Sequence, residues 1–230
     1  MTRSDRLRSI AWRWTSSCLS ACLLACNSPP PPVNEFMLSV PISTDVGREE
    51  ATHRLAPLRV RPLVARGFLA RREIAWREGA VRAGAYLYRR FGELPAETTT
   101  RLLLDRLRAD GRFERVDGAA PRPAGPFTLS GELLGLHEQC DARGEHPQGV
   151  AEIELVLETE GALPGDTPRR TILRARHVAA AADASMEALV VAISVALDAV
   201  LAELIPQIAA AAQIDAAAQA AAKPDGMPQS

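Results

Sequence analysis

The chain has 230 residues, of which 47% are hydrophobic, and its 27 basic and 28 acidic side chains give a formal net charge of −1 at pH 7. This length and apolar content allow one domain with a real hydrophobic core. The near-neutral balance lacks the basic footprint of a nucleic-acid-binding protein, so the composition excludes that class and no nucleic-acid partner is expected.

The first 25 residues have the composition of a secretory signal peptide. Four arginines and one aspartate precede a stretch without any charge, from residue 14 to residue 25. A basic start followed by a short apolar run is typical of such signals. The uncharged stretch of about 12 residues is shorter than the roughly 20 that a transmembrane helix needs.

Three of the four cysteines lie within nine residues, at positions Cys18, Cys22 and Cys26. This spacing allows a metal or disulfide cluster, but a zinc site would need further ligands nearby, and the neighbouring sequence supplies none. The stretch Leu23-Leu24-Ala25-Cys26 instead resembles the lipobox of bacterial lipoproteins, where a small residue precedes a cysteine that is acylated on sulfur. We therefore predict that residues 1–25 are removed and that Cys26 carries the lipid.

Residues 26–35 are predicted to be a tether, because Pro29–Pro32 favours an extended polyproline conformation. Without residues 1–25, the chain keeps 23 basic and 27 acidic side chains, a formal charge of −4. Asn27 follows the lipidated cysteine, where an aspartate commonly retains lipoproteins in the inner membrane. We therefore expect the outer membrane, on its periplasmic face.

Residues 36–212 are predicted to form one domain that begins with strands. Phe36–Val40 is a short apolar run, and residues 58–63 alternate between apolar and charged side chains, as in a half-buried strand. A third strand is expected over Arg72–Arg77, with Gly79–Tyr88 returning as its hairpin partner.

A helix follows, opened by Pro95 at its first position and ended by Gly111. A short strand is expected over Phe113–Val116. Three longer strands come next, and the middle one alternates clearly between apolar residues and glutamates. Alternation predicts an antiparallel sheet with one solvated face. The three strands are expected over Phe127–Glu138, Val150–Glu160 and Arg170–Ala179.

The last predicted element is a long amphipathic helix over residues 184–211, with Asp183 as its N-cap. Pro206 should kink it or end its regular part. The alanine-rich residues 213–230 are expected to be a disordered tail. The fold class is therefore α+β, a mainly antiparallel sheet with two principal helices on one face.

One local group has ligand-like side chains: His137, Cys140, Asp141 and His146. It could be a metal site, but the order matches no strong zinc pattern, and the neighbouring glycines and proline favour a polar hairpin loop. His53 and His177 have no nucleophile nearby in sequence, and no nucleotide-binding glycine motif occurs. We predict no catalytic, cofactor-binding or metal-binding residue, while a triad of residues distant in sequence stays open.

Several segments resemble the ABC-type transport auxiliary lipoproteins, the group that includes the lipoprotein of the paraquat-inducible Pqi system. Phe91 stands where that family usually has tryptophan, and Gly92 follows it, so its most recognisable aromatic position is altered. The resemblance covers nearly the whole chain after the tether, through five segments and the final helix: residues 36–40, 58–62, 67–74, 88–97 and 107–113.

The resemblance implies a non-catalytic lipoprotein that works with an ABC transporter carrying an MCE-domain protein, which moves lipids between the two membranes. The implied partners are that MCE-domain protein and the membrane, through the lipid anchor, with assembly into a homo-oligomer left open. The alternatives are a structural or assembly lipoprotein of the envelope unrelated to transport, or an anchored periplasmic hydrolase.

Overall fold

The computed structural model describes residues 30–40, 54–118, 125–140, 147–161 and 167–222. The chain divides into two compact units, residues 1–32 and residues 33–230, and every element below belongs to the second. The predicted signal peptide and the first four residues of the tether, Cys26 among them, lie outside the described residues.

Within the described ranges, nine strands form one sheet and two α-helices pack against it. Helix α1 is Pro95–Asp110, helix α2 is Met186–Ala222, and a 3-10 turn occupies Gly67–Ala70. The strands are β1 Asn34–Phe36, β2 Leu58–Val60, β3 Val64–Ala65, β4 Glu73–Glu78, β5 Arg82–Phe91, β6 Val116–Asp117, β7 Phe127–Cys140, β8 Gln148–Thr159 and β9 Arg169–Ala180.

The predicted α+β fold class with a long C-terminal helix is confirmed, and the sheet is mixed rather than purely antiparallel. β7, β8 and β9 form the long antiparallel part, and β4 pairs antiparallel with β5. Along its other edge, β7 pairs in parallel with β2, β3 and β4 in succession. Alternation in sequence reports which face of a strand is buried, and it carries no information on the direction of its neighbour.

Helix α2 lies against β8 and β9 and forms the centre of the core. Four apolar residues that repeat at helical spacing in its sequence are all buried, namely Leu189, Ile193, Leu197 and Leu204. Its length and hydropathy would also suit a membrane span. Because its largest apolar side chains pack on the sheet, it serves here as the core helix of the domain.

The start of α2 differs from the prediction, because Ser185 and not Asp183 is the cap. The hydroxyl of Ser185 accepts a hydrogen bond from the Ala188 N–H at 3.1 Å. Asp183, two residues before Ser185, accepts a hydrogen bond from the Ser185 N–H at 2.7 Å. Hydrogen bonds from the side chain and the backbone N–H of Ser185 hold the pKa of Asp183 below its usual value. The two residues together satisfy N–H groups that the first turn leaves open.

The end of α2 also differs, because the helix continues through Pro206 to Ala222. Asp215 is buried and accepts the Thr159 hydroxyl at 2.7 Å, while Arg169 lies 3.3 Å from its other oxygen. These contacts dock residues 213–222 onto the ends of β8 and β9. The predicted domain end at 212 was therefore too early, and residues 223–230 lie outside the described ranges.

Helix α1 follows the prediction closely, with Pro95 at its first position and Gly111 in the left-handed region at φ 71°. The hairpin of β4 and β5 is confirmed. The first strand was placed too late, since β1 ends at Phe36. The following residues pack near α2, where the Ser39 N–H donates to the Ser194 hydroxyl at 3.2 Å.

Candidate functional site

The predicted lipid attachment site, Cys26, lies outside the described residues, so it stays a prediction. Asp141 and His146 of the ligand-like group, and His53, also lie there. His137 and Cys140 are described, and both stand on β7.

His137 and Cys140 point to opposite faces of the sheet. Successive side chains alternate along a strand, so residues three apart cannot converge on one ion. Within the described part of the chain, no group of three His, Cys, Asp or Glu side chains could hold a metal. The strand geometry therefore favours a structural role for His137 and Cys140 over a shared metal site.

Cys140 belongs to a polar cluster on the helix-facing side of the sheet. Its thiol donates to Oε1 of Glu138 at 3.1 Å, and the Tyr86 hydroxyl donates to Oε2 of the same carboxylate. Burial and the Glu138 carboxylate raise the pKa of Tyr86 well above its usual value. Tyr86 therefore stays protonated and serves as a donor, which satisfies a carboxylate enclosed by the fold.

His137 lies on the other face, beside a groove of about 240 Å³. Phe68 and Trp76 line this groove, and an ion pair of 3.1 Å between Arg66 and Glu132 stands at its rim. None of the groove's lining residues is serine, threonine or cysteine. The arrangement can accept an apolar group but brings no nucleophile to the imidazole.

Burial lowers the pKa of His137 from 6.5 to about 4, and the charges of Arg77 and Arg176 act in the same direction. The unfolded chain thus takes up a proton on this ring below about pH 6.5, where the folded chain does not. We expect the free energy of unfolding to fall by up to about 3 kcal/mol as the pH drops from about 6.5 to about 4.

Urea unfolding of the wild type and of His137→Gln at pH 7 and pH 4.5 measures this contribution. The variant should lose less stability on acidification than the wild type. Equal losses in the two proteins would show that His137 does not cause the effect.

The glutamates of β8, expected to form a solvated strand face, are confirmed in that role. Glu158 pairs with Arg170 at 2.8 Å, and Glu152 pairs with Arg174, which also reaches Glu154. Exposed cross-strand pairs of this kind each contribute about 0.2–1 kcal/mol. These ion pairs account for the glutamates as the solvated face of the strand.

His177 stands on β9 and contacts Glu203 of α2, with Nε2 2.7 Å from the carboxylate. Both side chains are partly exposed. The contact ties the helix to the sheet on the surface of the domain, so this histidine has a structural explanation.

Sequence reasoning missed the pair formed by Tyr86 and Glu138. One signal was present, since Glu138 is a carboxylate in a strand segment where Leu133 and Leu136 are apolar. The sequence could not predict on which face of the sheet Glu138 lies, because a bulge in β7 between Leu133 and Gly135 reverses the alternation of its side chains.

No family model and no curated protein matches this sequence. A Xanthomonas campestris protein of family DUF330 has the same fold, with a TM-score of 0.63 and 13% identity over 80% of this chain and 99% of its own. An uncharacterised protein gives a TM-score of 0.57 and 13% identity over 77% of this chain and 99% of its own. At these identities the similarity shows the fold alone.

Proposed function

We propose that this chain is a membrane-anchored periplasmic lipoprotein, a non-catalytic component of an MCE-type ABC transport system that moves lipids between the inner and outer membranes. The observation that carries this proposal is the joining of a lipobox-like sequence, residues 23–26, to a domain with the DUF330 fold.

The order of the segments suits such a role. Acyl chains on Cys26 would hold the chain at the membrane, since each buried methylene contributes about 0.8 kcal/mol. The eight residues from Cys26 to Val33 precede β1 and, in an extended polyproline conformation of about 3.1 Å per residue, would span roughly 25 Å. The domain can therefore stand clear of the lipid headgroups and meet a protein in the periplasm.

The exposed side of α2 supports a role in protein binding. Val191 and Val195 lie one helical turn apart and are exposed, at 62% and 55%. Together with the alanines that follow, they give this face of the helix few charges. An apolar face directed to solvent is typical of a contact surface, and a second protein is the partner that a transport complex would supply.

Replacing Cys26 with serine should abolish lipidation, because a hydroxyl cannot take the place of the thiol that is alkylated. The variant should remain an unprocessed precursor and incorporate no labelled palmitate in the native host. Membrane fractionation should find the wild type with outer-membrane markers. A wild-type protein that begins at Met1 by mass spectrometry would contradict the prediction.

The transport role is tested by chemical crosslinking in the native host, followed by purification of the tagged chain and mass spectrometry. The MCE-domain protein should be recovered with the wild type and much less with Cys26→Ser, which keeps the domain but loses its location. Recovery of other envelope proteins without any MCE-domain protein would favour the assembly lipoprotein instead.

A further inference from the structure

A cleft of about 260 Å³ lies between the C-terminal end of α1 and the middle of α2. Its side on α1 includes Asp110, and its side on α2 includes Ala202, Ile205 and Pro206. Four charged side chains lie around it as two ion pairs. Arg106 pairs with Asp198, and Arg112 pairs with Asp110.

The carboxylate of Asp110 lies in an environment that is unfavourable for its charge. Its side chain is only 2% exposed, and its Oδ1 accepts from Arg112 Nη2 at 2.9 Å and from Nε at 3.1 Å. Its Oδ2 is buried and has no hydrogen-bond partner. A carboxylate at the last residue of a helix also faces the negative end of the macrodipole. A buried acceptor in this position would gain from one further donor.

A second acceptor lies on the opposite wall of the cleft. Pro206 has no N–H, so the carbonyl of Ala202, four residues earlier, cannot receive its usual helical hydrogen bond. Ala202 and Pro206 share one exposed face of α2 and both line the cleft. Arg106 and Arg112 already pair with carboxylates. The hydrogen-bonding groups that the cleft leaves available to a ligand are therefore acceptors.

We propose that this cleft binds a primary ammonium group carried on a short aliphatic chain. The ammonium would donate to Asp110 Oδ2 and to the Ala202 carbonyl, while its methylenes contact Ile205 and Pro206. Free amines and amine-bearing lipid headgroups share this chemistry. The inference stands on the cleft alone and does not depend on the transport role.

Other occupants fit the cleft less well. A hard metal ion prefers six or more oxygen ligands, and the described residues contain no cluster of acidic or other metal-ligating side chains. A quaternary ammonium has no N–H for Asp110 and is usually held by aromatic rings, whereas no aromatic residue lines the cleft. A primary ammonium supplies three donors on one small charged atom.

Calorimetric titration of the purified full-length chain with n-butylammonium chloride tests the proposal. Binding should be saturable, and it should weaken at least about tenfold in Asp110→Asn, because a charge-assisted hydrogen bond is lost. The matched control is Asp105→Asn, which changes a more exposed carboxylate of the same helix and should leave binding unchanged.

Pro206→Ala gives an independent variant that should fold, because it restores an N–H to the Ala202 carbonyl and improves helix propensity. It too should weaken butylammonium binding. Wild-type affinity for butylammonium in both Asp110→Asn and Pro206→Ala would overturn the proposal.

Three further probes separate the ammonium from simpler occupants. Equal binding of n-butanol would reduce the cleft to an apolar cavity, equal binding of potassium chloride would make it an inorganic cation site, and the absence of saturable butylammonium binding would leave it a water-filled cleft. Each of these results overturns the proposal.

Glycerophosphoethanolamine should also bind while glycerophosphocholine does not. A higher affinity for the former than for butylammonium identifies a lipid headgroup as the source, and a lower one identifies a soluble amine.

Discussion

Gly149→Ala is expected to destabilise the domain by about 3 kcal/mol or more, since a side chain forced against backbone is at the upper end of overpacking costs. Gly149 lies on β8 where that strand passes under α2. A Cβ atom at this position would stand 2.2 Å from the Ile193 nitrogen and 2.4 Å from the Ala192 carbonyl carbon. Backbone atoms of a helix cannot rotate away as a flexible side chain can, so the helix must lift from the sheet.

Thermal and urea unfolding of Gly149→Ala would show the loss as a lower midpoint. The matched control is Gly118→Ala, because the nearest atom to a Cβ there is a leucine methyl at 3.7 Å, an ordinary contact. That control should be neutral or slightly stabilising through the entropy of the unfolded chain. Equal stability of Gly149→Ala and the wild type would mean that α2 can move away from β8 at little cost.

Sequence periodicity predicted both helices and the long strands because their apolar spacing is set by packing within one element. Leu189, Ile193, Leu197 and Leu204 repeat at helical spacing, and all four are buried. The position of Gly149 under α2 has no such signal. A glycine looks alike in a turn and at a close approach of two backbones, and only the partner element distinguishes them.

The parallel pairings could not be predicted for a similar reason. β2, β3 and β4 contain three, two and six residues, and the alternation that indicates such a strand does not give the direction of its neighbour. Each pairs with a different part of β7, and this order depends on contacts far apart in sequence. The end of α2 was misjudged because alanine-rich sequence is compatible with fraying, whereas buried Asp215 fixes the helix to Thr159 through a tertiary hydrogen bond.

The candidate sites show the same division between local and tertiary information. The resemblance of residues 23–26 to a lipobox can be read directly, because acylation depends on a contiguous sequence. The ammonium cleft cannot be read in this way, since Asp110 and Pro206 are nearly a hundred positions apart. Either residue alone is ordinary, an acidic residue at a helix end and a proline within a helix.

Leu197→Ala is expected to lower the free energy of unfolding by about 2–5 kcal/mol, the range for truncating a buried leucine. Leu197 is fully buried in the core cluster on the sheet-facing side of α2. Removing its isobutyl group loses the transfer free energy of the side chain and leaves a cavity between two rigid layers. The strands beneath are held by long ladders with β7 and β9, so they have little freedom to close it.

Val195 provides the control on the same helix, because it is 55% exposed and points away from the sheet. Val195→Ala should change the free energy of unfolding by no more than about 0.5 kcal/mol, as for other surface positions. Urea unfolding of both variants measures the contrast. If the two lost equal stability, α2 would not be packed through its Leu197 face, and the exposed valines that we assign to partner binding would belong to the core instead.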